Sequence, residues 1–135
     1  MVRFVLDTNV CIQIIRGRST QLHSRLAEVS RDDLAISAIV WAELLVGAYL
    51  SPRGYEQERT KLAPFLELVQ LPFDQNAAEH YAEIRAYLQA RGQLIGERDL
   101  MIAATTRAQG LTLATHNTRE FERVPDLMLE DWELP

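Results

Sequence analysis

The sequence predicts an α/β fold: a single domain, residues 1–135, with a central, mostly parallel sheet of about five strands flanked by helices. Short apolar runs alternate with longer stretches of helical periodicity along the chain. The first run, Arg3–Leu6, is apolar without the in-out alternation of a half-exposed strand, which suits a strand covered on both faces. Hydrophobic residues make up 47% of the 135 and charged residues 24%, a mixture that supports one sizeable core rather than a disordered chain.

Taken in order, RFVL is the first strand and TNVCIQIIRG a helix capped by Thr8 or Asn9 and stopped by Gly17. QLHSRLAEVS reads as a short amphipathic helix and DLAIS as the second strand. Ser37 then caps a strongly apolar helix, AIVWAELLVGAYL. Ser51–Gly54 makes a turn, and YEQERTKLA is a polar helix interrupted or kinked at Pro64. LELVQLPF is the third strand. AAEHYAEIRAYLQARG follows as an amphipathic helix with its apolar stripe at 77, 78, 81, 84, 87 and 88, stopped by Gly92. Asp99 opens a helix that ends at Gly110, LTLAT is a strand, EFERVP a turn segment and LMLE the last strand.

No run of about 18 apolar residues occurs, and MVRFVLD lacks the layout of a signal peptide, so a cytoplasmic location and no membrane partner are expected. The single Cys11 excludes an intramolecular disulfide and a cysteine-based zinc cluster, and reads as a small buried hydrophobe. The net charge is -5, but Asp126, Glu130, Asp131 and Glu133 in the last ten residues account for most of it. All the cations but Lys61 are arginine, which favours bidentate phosphate contacts, although solvated surface arginines explain the same count. Charge therefore neither predicts nor forbids a nucleic-acid partner.

Three carboxylates stand alone in apolar surroundings. Asp7 ends the first strand, where it also suits a helix cap. Glu43 is the only charged residue between Asp33 and Arg53; buried without a partner it would cost several kcal/mol, unless a salt bridge, a partner interface or a shared cation satisfies it. Asp99 precedes LMIAATT, a segment that reads as buried helix, and a helix N-terminus alone would favour an acid there by about 0.3–1 kcal/mol. Read jointly, the three form one cluster at the carboxyl edge of the sheet, where α/β folds bind ligands. Two carboxylates about 4 Å apart repel by about 4 kcal/mol at an effective dielectric of 20, so such a cluster is kept for a proton or a metal. An all-oxygen donor set suits Mg²⁺ or Mn²⁺ rather than zinc. His23 and His80 lack ligand spacing and read as surface residues; His116 ends a strand near the acids.

FVLDTNVCI, SAIVWAELLVGA and IGERDLMIAATTRAQGLTLATHNTREFERVPDLMLEDW, in this order and spacing, resemble the PIN-domain ribonucleases, specifically the VapC-type toxins of toxin–antitoxin pairs. The resemblance covers essentially the whole chain. It implies that Asp7, Glu43 and Asp99 are the principal catalytic and metal-binding acids. The fourth position falls on Glu120, with Asn117 the second candidate beside the metal; read plainly, Glu120 is a solvated turn residue. It further implies an Mg²⁺-dependent endoribonuclease (Mn²⁺ as the alternative ion) acting on structured RNA, tRNA foremost. The implied partners are a VapB-type antitoxin whose tail blocks the site, often with an inserted Arg, and a second copy in a homodimer or hetero-oligomer. Trp41, Val46 and Tyr49 are candidates for such surfaces or for the core. Two rivals remain. One is a PIN-like module that binds RNA or protein without cutting. The other is a haloacid-dehalogenase-like phosphatase with Asp7 as nucleophile, against which Asn9 stands where that class carries a second Asp.

Overall fold

The computed structural model describes residues 1–135. Its strands are β1 (Phe4–Leu6), β2 (Leu34–Ser37), β3 (Val69–Leu71), β4 (Thr112–Ala114) and β5 (Met128–Glu130). They lie in the order β3-β2-β1-β4-β5, and every neighbouring pair is parallel. Every residue of β1 and β2 is buried, as an apolar run without alternation requires, whereas the edge strands β3 and β5 are largely open. The chain steps outward from β1 through β2 to β3, then returns to the other side of β1 for β4. The strand order therefore reverses between β1 and β4, and a crevice opens beyond their carboxyl ends.

The helices are α1 (Thr8–Arg16), α2 (Thr20–Ala27), α3 (Ala38–Leu50), α4 (Tyr55–Leu66), α5 (Gln75–Ala90), α6 (Glu97–Ala108) and α7 (Thr118–Phe121), with one 3-10 turn at Arg31–Asp33. Gly17, at φ 65, closes α1 in the left-handed conformation that a glycine adopts without strain. Ser37 caps α3 by accepting a hydrogen bond from the Val40 amide. The core gathers β1, β2 and β4 with Ile84 and Leu88 of α5, Leu100 and Ile102 of α6, and Phe121 of α7. Trp132 closes one end, edge-on to Phe4 with ring centroids 5.0 Å apart.

Several boundaries differ from the sequence reading. Helix α4 runs through Pro64 to Leu66 and so takes the first residue of the expected third strand. Pro64 lies in the last turn, where the one amide hydrogen bond it cannot donate is a small loss. EFERVP is not all turn, because Glu120 and Phe121 belong to the single-turn α7. On α5, Ala78 and Tyr87 face solvent, so the inward stripe is narrower than expected. The largest difference is α3, which buries only Val40, Leu44 and Ala48. Trp41 packs against the core, but Val46, Tyr49 and Leu50 are exposed by 53%, 68% and 79%, which leaves open apolar surface for a second chain. No helix is long and apolar enough to cross a membrane.

Candidate active site

Asp7 follows β1 directly, and its amide still donates to Ala114 O as the sheet pairing runs out. Asp7 itself caps α1, in place of Thr8 or Asn9: its Oδ1 accepts from the Thr8 amide at 2.8 Å. Its Oδ2 accepts from the Thr115 hydroxyl at 2.8 Å, at the end of β4. The residue is only 4% exposed. Burial pushes its carboxyl above the usual range, the bonds from Thr115 and Thr8 oppose that, and the charge of Glu43 adds to it. Cap and site acid are thus one residue. Cys11 lies one turn along α1, fully buried, its amide donating to Asp7 O; burial first and the Asp7 charge second push its thiol far up.

Glu43 is only partly buried, and it is paired, the salt-bridge alternative that the sequence left open. Helix α3 turns a single stripe inward, so Glu43 sits at the stripe's margin with its side chain 22% exposed. Oε1 accepts from the Thr8 hydroxyl at 2.7 Å, and Oε2 pairs with Arg98 Nη1 at 3.2 Å. The salt-bridge explanation of Glu43 therefore holds alongside its place near the other acids.

Asp99 sits in the first turn of α6, half-buried. Burial, then the charges of Asp7, Glu120 and Glu43, push its carboxyl up to about 6, with Arg98 alone pulling it down. No hydrogen bond relieves it. Behind it Leu100 and Ile102–Thr106 are buried, and the hydroxyls of Thr105 and Thr106 donate to Met101 O and Ile102 O, so the helix is satisfied inside the core. That anchorage fixes the backbone that carries Asp99.

Glu120 and Asn117 come from α7 and its cap. Asn117 Nδ2 donates to Glu120 Oε2 at 3.3 Å, and the Asn117 amide donates to Thr115 Oγ1 at 3.0 Å. A continuous chain of contacts thus runs from Glu120 through Asn117 and Thr115 to Asp7. Glu120 is half-buried rather than a freely solvated turn residue. Thr115, Thr8 and Arg98 were missed as site residues; the only sequence signal was position, Thr8 beside Asp7, Arg98 beside Asp99 and Thr115 directly after the fourth strand.

His116 turns elsewhere. Its Nδ1 lies 3.0 Å from Asp131 Oδ2, and with Glu133 these are the only ligand-type side chains that converge as a set of three within 4.8 Å. Asp7, Glu43, Asp99 and Glu120 feel one another's charge but stand further apart, three of them held by their own protein donors. His80 is also less free than expected, accepting from Arg107 Nε at 2.9 Å. Each site carboxylate keeps lone pairs beyond those its donors use, and Asn117 Oδ1 has no protein partner. This hard, all-oxygen donor set fits a Mg²⁺- or Mn²⁺-like ion and offers nothing for a soft one.

Residues 4–127 match the model of the PIN domain. The chain is 38% identical over 133 residues to the tRNA(fMet)-specific endonuclease VapC of Shigella flexneri, covering 98% of this chain and 99% of that one. It is 36% identical over 132 residues to ribonuclease VapC2 of Rickettsia felis, covering 96% and 98%. Among solved structures it resembles the DNA-bound VapBC of Salmonella typhimurium with a TM-score of 0.90 at 37% identity, over 98% of this chain and 99% of that one.

Proposed function

This chain belongs to the PIN-domain family, among relatives named VapC ribonucleases, and from that premise we propose that it is a metal-dependent endoribonuclease, the toxin of a VapBC-type pair. The observation that carries the reading is Asp99: a half-buried acid without a hydrogen-bond donor, pushed up to about 6 by burial and by three neighbouring acids. Such a group is destabilised as it stands and gains most from a divalent cation. Asp7, Glu43, Asp99 and Glu120, with Asn117 Oδ1, would hold that cation. When bound, it lowers the pKa of a coordinated water and offsets charge on the scissile phosphate.

The chain's own residues do the rest. Thr115 and the Thr8 amide fix both oxygens of Asp7, and the Thr8 hydroxyl and Arg98 fix Glu43, so little reorganisation accompanies the reaction. The Thr8 and Thr115 hydroxyls orient Glu43 and Asp7 through hydrogen bonds, and the Cys11 thiol is sealed in the core. In this reading water is the attacking group, and the product is hydrolysed phosphodiester.

The substrate proposed is tRNA, with initiator tRNA the first to try, because the Shigella relative is named for it. The partner proposed is a cognate VapB-type antitoxin, in keeping with the VapBC complexes that this fold resembles. A cation inserted by that partner would meet Glu43 and Asp99 as Arg98 does now.

The test is incubation of antitoxin-free protein with tRNA, in Mg²⁺, in Mn²⁺ or in EDTA, beside Asp7→Asn and Asp99→Asn. Discrete fragments that need both the metal and the two acids are expected. Intact tRNA and intact ribosomal RNA from a protein that still binds Mg²⁺ would leave a binding module in its place.

A further inference from the structure

A cleft of about 380 Å³ between α1, α3 and α4 begins at Glu43 and runs away from the acids. Its walls carry Arg16, Arg53 and Lys61, with Glu58 as their acidic neighbour. We propose that this cleft binds the phosphates of the RNA strand next to the scissile bond. The choice of RNA rests on the nuclease reading above; the binding itself does not require that the protein cut.

Arg25, Arg31, Arg85 and Arg107 each meet an acid of their own. In the cleft, Arg53 and Lys61 share Glu58 at 4.0 and 3.4 Å, and Arg16 at the end of α1 is exposed and makes no ion pair. Three cations over two acids, Glu58 and a Glu43 already paired with Arg98, leave an excess of positive charge in a chain whose net charge is -5. Such a chain repels a polyanion at long range, and the acids at the cutting site repel it again nearby. An RNA strand reaching those acids therefore needs cations close by, on a surface continuous with them, and this cleft touches the site at Glu43. Apolar side chains, Leu44 and Leu62 among them, give it a floor that a ribose or base edge can lie on. An antitoxin tail bringing a cation to the acids fits less well, because it would pass along a wall of like charge.

The test is fluorescence anisotropy with a labelled single-stranded RNA, on an Asp7→Asn background so that the strand stays whole. Replacing Arg16, Arg53 and Lys61 together with Ala should weaken binding on the order of 30-fold and reduce the slope of log Kd against log salt by about 2, since each phosphate contact to a single strand contributes about 0.7. Glu58→Gln, which removes the shared acid, should instead tighten binding; this second variant keeps the test sharp if the triple one folds poorly. Arg91→Ala, whose guanidinium lies over Tyr87 outside the cleft, is the control and should change nothing. Unchanged affinity and slope in the triple variant would overturn the proposal. So would unchanged RNA binding with lost binding of an antitoxin-tail peptide, which would assign the cleft to protein. If the Asp7-intact protein cuts no RNA while these affinities move as stated, the nuclease reading fails and the cleft assignment stands.

Discussion

Helices α3 and α6 look alike as sequence and end in different places. Each holds an apolar stretch and carries one of the acids facing the crevice. Helix α6 buries Leu100 and Ile102–Thr106, whereas α3 buries Val40, Leu44 and Ala48 and leaves Val46, Tyr49 and Leu50 in solvent. The acids follow their helices. Glu43, on the outer helix, collects a hydroxyl and a guanidinium. Asp99, at the root of the inner one, collects neither and has its carboxyl pushed up to about 6. Apolar composition shows that a helix has something to bury against; the position of the helix in the fold decides how much solvent and how many partners its acid receives.

The largest expected effect tests Asp99 itself. Asp99→Asn should lower tRNA cleavage on the order of 10³-fold, the scale for loss of one preorganised electrostatic group, read as initial rate in saturating Mg²⁺. Next comes the contrast in packing. Ile102→Ala in α6 should cost about 3 kcal/mol of stability in urea unfolding, while Val46→Ala in α3 should stay within about 0.5 kcal/mol. Equal losses would mean that α3 is covered in solution, and a concentration-dependent Tm would then identify a second copy. Thr115→Val leaves a buried oxygen of Asp7 without its donor and should cost about 1–2 kcal/mol.

The smallest effect is a pH dependence in EDTA. The folded state holds a proton on Asp99 more tightly than the unfolded chain does, so the contribution of Asp99 to stability is fully present below about pH 4. It should then fall as pH rises towards about 6, where the carboxyl titrates. With half the residue in solvent, the loss should be about 1 kcal/mol, less than an unscreened shift would give. Asp99→Asn should flatten the profile and raise Tm near neutral pH. A wild-type profile already flat between pH 4 and 7 would remove the special status given to Asp99.

Much of this architecture is legible along the chain, because strand burial, the Ser37 cap and the Gly17 stop are local events that leave local marks. Asp7, Glu43 and Asp99 stand out for the same reason, as single charges in apolar neighbourhoods. What stays hidden is pairing at a distance. Thr115 reaches Asp7 across 108 positions, Arg98 reaches Glu43 across 55, and Thr8 reaches Glu43 across 35. No periodicity records such contacts. Boundaries also blur where an element is too short to show a period, as with the three-residue β3 and the four-residue α7. The half-exposure of α3 is hidden differently, because its outward residues are as apolar as its inward ones.

Cys11, fully enclosed one turn along α1 from Asp7, equips the molecule with a clock. As the only thiol in the chain, it cannot meet a thiol-reactive dye until the seam between β1 and α1 opens. The rate of labelling therefore counts openings at the base of the proposed cutting site, with no substitution and no added probe. A partner or cation that grips Asp7 should slow that count, and one that binds elsewhere should leave it running at its own pace.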